Sequence, residues 1–355
     1  MFAAGAADAL PDVVNFSGSD FPVLASLGAL HDLEPIAPTP PSERFVDGAL
    51  AAGTIDGALF GAPWYLSTPV RVANEELLAE GGLTPETLGA TWQELLSQAG
   101  PFYDATGKWL LTLPLGEVSQ LPAMLSQQGL PPVVRDSDRY HSRLTDEASV
   151  AYVRAWIDLY RSGDLPSEAA TEGYSHMVRN YVAGNVAMIN GNAVRAVATQ
   201  SPAVYANTRV LPGAVGSTGE FGIAVTFVCV TRQSDQPDLA AKLAWHMTSE
   251  PWQERLAKEA SRVPSTAASL DDVESFLPDA ADARMDIATR LSAQQMARAR
   301  SFDPPVGAWP DMARIFEDNM QRALVGGVDV RTVLADIDCE WKRILDAEAE
   351  GRPYK

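Results

Sequence analysis

Cysteine is scarce in this chain, with only Cys229 and Cys339 among 355 residues. One lies in an apolar run and the other in a charged, helix-like segment, and no framework spacing links them. Both are therefore read as free thiols rather than as a disulfide. The four histidines, His31, His141, His176 and His246, are scattered. They form no H-E-x-x-H pair and have no cysteine at ligand spacing, so no metal site is expected. Basic residues are outnumbered, 27 Lys and Arg against 46 Asp and Glu, for a formal net charge of −19. Such a charge repels phosphate backbones and anionic headgroups, which argues against nucleic acid and membrane-surface partners. No hydrophobic run approaches the length of a membrane-spanning helix. The opening Met1-Phe2-Ala3-Ala4-Gly5 lacks the basic region and the apolar core of a signal peptide.

Motifs for catalysis are equally sparse. There is no G-x-x-x-x-G-K-[ST] loop and no G-x-G-x-x-G fingerprint, so nothing is present to hold a nucleotide cofactor, and no cofactor is expected. Ser17-Gly18-Ser19 follows a strand-like run but lacks the first glycine of a nucleophile elbow. The paired carboxylates Glu75-Glu76 and Asp271-Asp272 are adjacent in sequence. A glycosidase needs its two carboxyls across a cleft, so these read as solvated surface charge, and the chain is not expected to be an enzyme.

What is present is enough apolar material for two cores. The length exceeds the size at which one core stops growing, and 46% of residues are hydrophobic. Pro11 to Phe16 reads as a strand and Ser17 to Asp20 as a turn and helix cap. A hairpin is expected over Thr54 to Tyr65 and a strand over Val70 to Ala73. A helix is expected over Glu75 to Glu80, and a capping box at Thr91-Trp92-Gln93-Glu94. Trp109 to Leu113 reads as a strand, Asp146 to Arg161 as a long amphipathic helix and Val186 to Asn190 as a further strand. Phe221 to Thr231 is continuous and β-branched, the pattern of a strand buried on both faces. Helices dominate from Pro237 onward. Strands alternating with helices make the class α/β.

Ligands of open α/β sheets bind beyond the carboxyl ends of strands, which draws attention to Ser17 to Asp20 and to Gly191-Asn192. A helix cap uses the same hydroxyl chemistry, so the serine loop is open to both readings. Trp64, Tyr65, Tyr174 and Trp309 are candidates for stacking on sugar faces, and the competing reading is that they belong to the core.

The order of these pieces resembles the extracellular solute-binding proteins of carbohydrate ABC importers, the family that includes maltose-binding protein. The segments that carry it are Leu10-Pro11-Asp12-Val13-Val14, Asp56-Gly57-Ala58-Leu59-Phe60-Gly61-Ala62-Pro63-Trp64 and Val72-Ala73-Asn74-Glu75-Glu76-Leu77-Leu78. Thr91-Trp92-Gln93-Glu94-Leu95-Leu96, Tyr181 to Gly191 and Arg262-Val263-Pro264-Ser265 follow in the same order. The resemblance implies a two-lobed periplasmic-binding-protein-like fold of type II. It divides the chain into lobe one over residues 1–112, lobe two over 113–225, a return to lobe one over 226–278, and C-terminal helices over 279–355 packing mainly on lobe two. Hinge crossings would then fall near Leu113, Phe227 and Asp279.

Carried over residue by residue, the resemblance places Ser17, Ser19 and Asp20 against the ligand, with Trp64 and Tyr65 near the hinge. Glu117 would open the first helix of lobe two, Asn192 would sit at the glycine turn, and Trp309 would stack from the C-terminal part. Ala193-Val194 stands where the maltose binder carries an aromatic, which puts a maltose-type oligosaccharide in doubt. The implied function is the substrate-binding component of an ABC sugar importer, partnered by a small-molecule carbohydrate and by ABC permease subunits. By resemblance it works in the periplasm or outside the cell. Relative to the family, about 60 residues are expected to be missing at the start, enough for one βαβ unit of roughly 30 or more residues plus a leader. Lobe one would then be incomplete and its Pro11 to Phe16 strand an exposed edge. The alternative expectation is a truncated, non-binding homologue that self-associates as a homodimer through that edge.

Overall fold

The computed structural model describes residues 10–17, 21, 24–25, 27–55, 57–116, 120–137, 139–171, 173–260, 262–277, 282–304 and 306–350, with the side chain of Ser17 outside that set. The chain forms two compact units, Met1–Thr68 with Ile223–Ser301 and Pro69–Gly222 with Phe302–Lys355. In chain order the strands are β1 (Val13–Ser17), β2 (Thr54–Ile55), β3 (Ala58–Leu59), β4 (Ala62–Ser67), β5 (Val70–Asn74), β6 (Trp109–Leu111), β7 (Val133–Asp136) and β8 (Arg139–Ser142). They continue with β9 (Val186–Asn190), β10 (Thr208–Pro212), β11 (Phe221–Gly222), β12 (Ala224–Val230), β13 (Val263–Pro264) and β14 (Ala299–Arg300).

The first unit is built on a sheet of order β1-β12-β4-β13. Strand β12 runs antiparallel to both β1 and β4. As its β-branched, largely apolar sequence requires, β12 is covered on both faces. Val225, Phe227 and Cys229 join Val14, Phe16 and Phe21 in one cluster, while Val228 and Val230 join Leu33, Phe45 and Trp245 in another. Phe227 stacks on Phe21 with centroids 4.4 Å apart. Full burial of a ring of this size contributes about 2–3 kcal/mol. Cys229 is buried within the first cluster and Cys339 is exposed, and both are free thiols.

The second unit holds a sheet of order β10-β5-β9-β6, in which β6 and β9 are parallel and β5 is antiparallel to both of its neighbours. All five residues of β5 are buried, including Arg71. Its guanidinium donates from Nε to the Pro212 carbonyl at 2.7 Å and from Nη1 to the carbonyls of Leu88 and Gly89. Loss of hydration on burial lowers its pKa to about 10. The expected capping box forms, with Thr91 Oγ1 accepting from the Glu94 amide at 3.2 Å and Glu94 Oε2 accepting from the Thr91 amide at 2.9 Å. That helix, Trp92–Thr106, stops at Gly107 in the left-handed region. Around this sheet pack the helices Glu147–Arg161, Trp309–Leu324 and Val330–Ala349, whose buried faces share one core.

The domain boundaries differ from expectation. The backbone passes between units at Thr68–Pro69, Gly222–Ile223 and Ser301–Phe302. The first passage precedes residue 113 because β5 pairs with β9 and β10 of the second unit, so residues 69–112 belong there. The last follows residue 279 because the helix Ala283–Gln295 is tied to the first unit. Ser292 Oγ accepts from the Thr68 amide at 3.1 Å, and Gln295 Nε2 donates to Thr68 Oγ1 at 2.6 Å. Hairpin β7–β8 carried no legible alternation, since Val-Val-Arg-Asp and Arg-Tyr-His-Ser do not switch regularly between apolar and polar side chains.

Candidate functional site

In the first unit the candidate residues lie at one end of the sheet. Strands β1 and β4 both run against β12, so their carboxyl ends share an edge. Ser17 pairs with Thr226, Thr226 with Tyr65, and Tyr65 with Pro264, a single row across four strands. Ser17 closes β1; Ser19 and Asp20 lie outside the described residues.

Trp64 occupies a singular position in this row. Thr226 faces Tyr65 and Phe227 faces Pro63, so Trp64 has no partner on β12 and forms a β-bulge. In a regular strand Trp64 and Tyr65 would point to opposite faces. The extra residue cancels one alternation. Leu66 sits in the cluster with Phe227, so Tyr65 points to the other face, and Trp64 packs against the cluster on that same face. The two rings consequently meet, with centroids 5.4 Å apart and planes at 51°. Both are half-buried. The Arg262 guanidinium lies over the Tyr65 ring, 5.0 Å from its centroid.

The second unit carries its candidates at the carboxyl end of β9. Tyr174 opens the helix Tyr174–Val182, and its hydroxyl donates to the Asn192 carbonyl at 2.8 Å. Its ring lies against Gly191, where an added Cβ would sit 3.5 Å from it. Tyr174 is 40% exposed and Asn192 is exposed, so the turn presents one ring and one amide to solvent. Asn190 is occupied structurally, its Oδ1 accepting from the Ala214 amide at 2.9 Å. Glu117 lies outside the described residues.

Trp309 departs from its expected role. It is 4% exposed and sits in the core of the second unit, edge-to-face on Trp341 at 5.6 Å, with its indole N–H donating to Asp303 Oδ1 at 3.0 Å. A ring this buried leaves little surface for stacking in this structure. Its side chain begins an amphipathic helix, and an aromatic at that position looks the same in sequence whether it faces core or cleft.

Sequence reasoning passed over Ser67, which closes β4, and Thr226, which stands between Ser17 and Tyr65. Arg262 entered it only as part of a family-like segment, not as a site residue. For Ser67 and Thr226 the only sequence signal was nearness to a strand end. Among the described residues no group of three or more His, Cys, Asp or Glu side chains is arranged to hold a metal ion. Among those residues no helix is long and apolar enough to cross a membrane.

Two units, each an α/β sheet carrying polar and aromatic groups at strand ends, define the class of two-lobed binding proteins. The family model of bacterial extracellular solute-binding proteins matches residues 1–283, and the chain belongs to that family. A proposed oligosaccharide periplasmic-binding protein from Synechococcus sp. MITs9220, solved in complex with zinc, is similar with a TM-score of 0.89 and 26% identity. The match covers 98% of this chain and 88% of that one. The GacH receptor of Streptomyces glaucescens GLA.O, solved unliganded and with acarbose, shares the fold at a TM-score of 0.78 and 22% identity, over 97% of this chain and 86% of that one. Among curated proteins, the diacetylchitobiose binding protein DasA of Streptomyces coelicolor is 23% identical over 273 residues, 73% of this chain. An arabinooligosaccharide-binding protein of Halalkalibacterium halodurans is 26% identical over 124 residues, 34% of this chain. The matched stretches span 61% and 26% of those relatives' own lengths.

Proposed function

We propose that the chain is the substrate-binding component of an ABC sugar importer, taking an oligosaccharide outside the inner membrane and handing it to permease subunits. The observation that carries this reading is the Trp64–Tyr65 pair, two half-buried rings brought to one face by a bulge, with Tyr65 in the same row as Ser17 and Thr226. Aromatic faces cover the C–H groups of a sugar ring while neighbouring hydroxyls take its polar edge. Tyr174 and Asn192 supply a second set of the same chemistry on the other unit. Relatives named for binding arabinooligosaccharide and diacetylchitobiose support an oligosaccharide ligand. The chemistry is recognition, without a bond made or broken. The test is a thermal-shift and calorimetric screen against arabinotriose, diacetylchitobiose and maltotriose. Saturable stabilisation by one of them, lost in Trp64→Ala or Tyr65→Ala, is expected, and no binding across the oligosaccharide classes would overturn the reading.

One observation favours a second reading. Among the described residues β1 pairs on one side only, with β12, although Val14 and Phe16 are buried like residues of an interior strand. An unpaired apolar edge promotes association, so a non-binding, self-associating chain predicts a mass that rises with concentration in light scattering and no response to any sugar.

A further inference from the structure

A buried amide side chain that belongs to no strand meets the backbone beside the bulge at Trp64. The Pro63 carbonyl, one peptide before the Trp64 side chain, accepts from Ser265 Oγ at 2.8 Å and from Gln253 Nε2 at 3.2 Å. Gln253 Nε2 also donates to the Thr248 carbonyl at 2.8 Å, and its Oε1 accepts from the Ser265 amide at 2.6 Å. Gln253 is 1% exposed and Ser265 is fully buried. Proline has no N–H to give to a ladder, and β13 pairs only with Leu66 and Tyr65. The side chains of Gln253, on the helix Glu250–Ala260, and of Ser265 therefore stand where a longer neighbouring strand would have bonded to β4. That bonding orients the Pro63–Trp64 peptide plane, and with it the direction in which both rings leave the strand.

We propose that Gln253 and Ser265 are positioning residues that aim Trp64 and Tyr65, and so govern how well this ring pair fits a saccharide, without touching it. The proposal rests on the reading of these rings as ligand-facing. A binding constellation loses its fit when supporting hydrogen bonds no longer hold it within about half an ångström. Pairing a buried carbonyl is also a plain stability role, and the test separates the two.

The full chain is labelled with 5-fluorotryptophan and the Trp64 resonance is assigned by its disappearance in Trp64→Phe. In Ser265→Ala and Gln253→Met the Trp64 signal should shift or split while those of Trp309 and Trp341 stay in place, and Ser265→Thr, which keeps the hydroxyl, should restore it. Affinity for whichever of arabinotriose, diacetylchitobiose or maltotriose binds should fall about tenfold in the first two variants, the loss of roughly one hydrogen bond's worth of alignment. It should not fall in Val333→Ala, a core change in the other unit chosen to lower stability alone. An unmoved Trp64 resonance overturns the proposal, as does a shifted resonance with wild-type affinity for a sugar that Trp64→Ala no longer binds. If Trp64→Ala and Tyr65→Ala both bind the sugar normally, the ligand-facing reading fails instead, and the resonance arm still decides whether Gln253 and Ser265 aim the rings.

Discussion

Replacing Trp309 discriminates sharply between a core residue and a ligand contact. The ring is 4% exposed and packs edge-to-face on Trp341, which is itself fully buried and donates its indole N–H to the Met312 carbonyl at 2.8 Å. Trp309→Ala removes a large buried side chain and leaves a cavity beside Trp341, which costs about 3–5 kcal/mol. Trp309→Phe keeps an aromatic ring in most of the volume and loses the hydrogen bond to Asp303. Asp303 is exposed and water replaces the lost donor, so this bond contributes near the low end of its class and the variant should lose about 1–2 kcal/mol. The assay is urea unfolding followed by circular dichroism, with the slope checked against wild type because two units need not unfold in one transition. Calorimetric affinity for the bound sugar is measured in parallel, well below the unfolding transition. A graded loss of stability, with affinity within twofold of wild type, is expected. A Trp309→Ala protein that keeps its stability to within 1 kcal/mol and loses affinity would refute the core assignment.

Further outcomes are open to direct measurement. Burial pushes the Cys229 thiol pKa upward while Cys339 is exposed, so Ellman's reagent should titrate one thiol in the native protein and two in denaturant. Glu94 is held below its usual value by the Thr91 amide, and Glu147 and Glu274 by hydrogen bonds from Arg331 and Arg290. Depressed folded-state values mean that their stabilisation is present above about pH 4.5 and lost as pH falls through the lower folded values. The melting temperature should therefore drop below about pH 4.5, less steeply in Glu94→Gln. Gly116 admits no side chain, because a Cβ would lie 1.9 Å from the Ala170 carbonyl oxygen. Gly116→Ala should cost several kcal/mol and be visible as a large fall in melting temperature.

Much of the fold was legible because periodicity reports burial directly. The helix Glu75–Glu80 and the strand Val186–Asn190 have the expected bounds. Thr91 and Glu94 announced their capping box by spacing alone. The apolar run through β12 announced burial on two faces, and two sheets confirm the α/β class. Domain boundaries were not legible, since nothing in Val70 to Asn74 says which sheet the strand will join. At the site, Tyr174 and Asn192 were singled out separately, and only the fold showed the hydrogen bond that joins them across 18 positions.

By itself, the sequence determined where apolar faces must be covered, which turns need glycine, and that catalytic and cofactor motifs are missing from it. These follow from local chemistry: side-chain polarity, backbone freedom and the spacing of adjacent residues. Tertiary structure alone decided that Trp64 and Tyr65 share a face, that Trp309 is buried in the core of its own unit, and that Gln253 serves the carbonyl of a residue 190 positions away. Those outcomes depend on strand register, and register is set by how distant segments pack against one another, information that no local window of the chain contains.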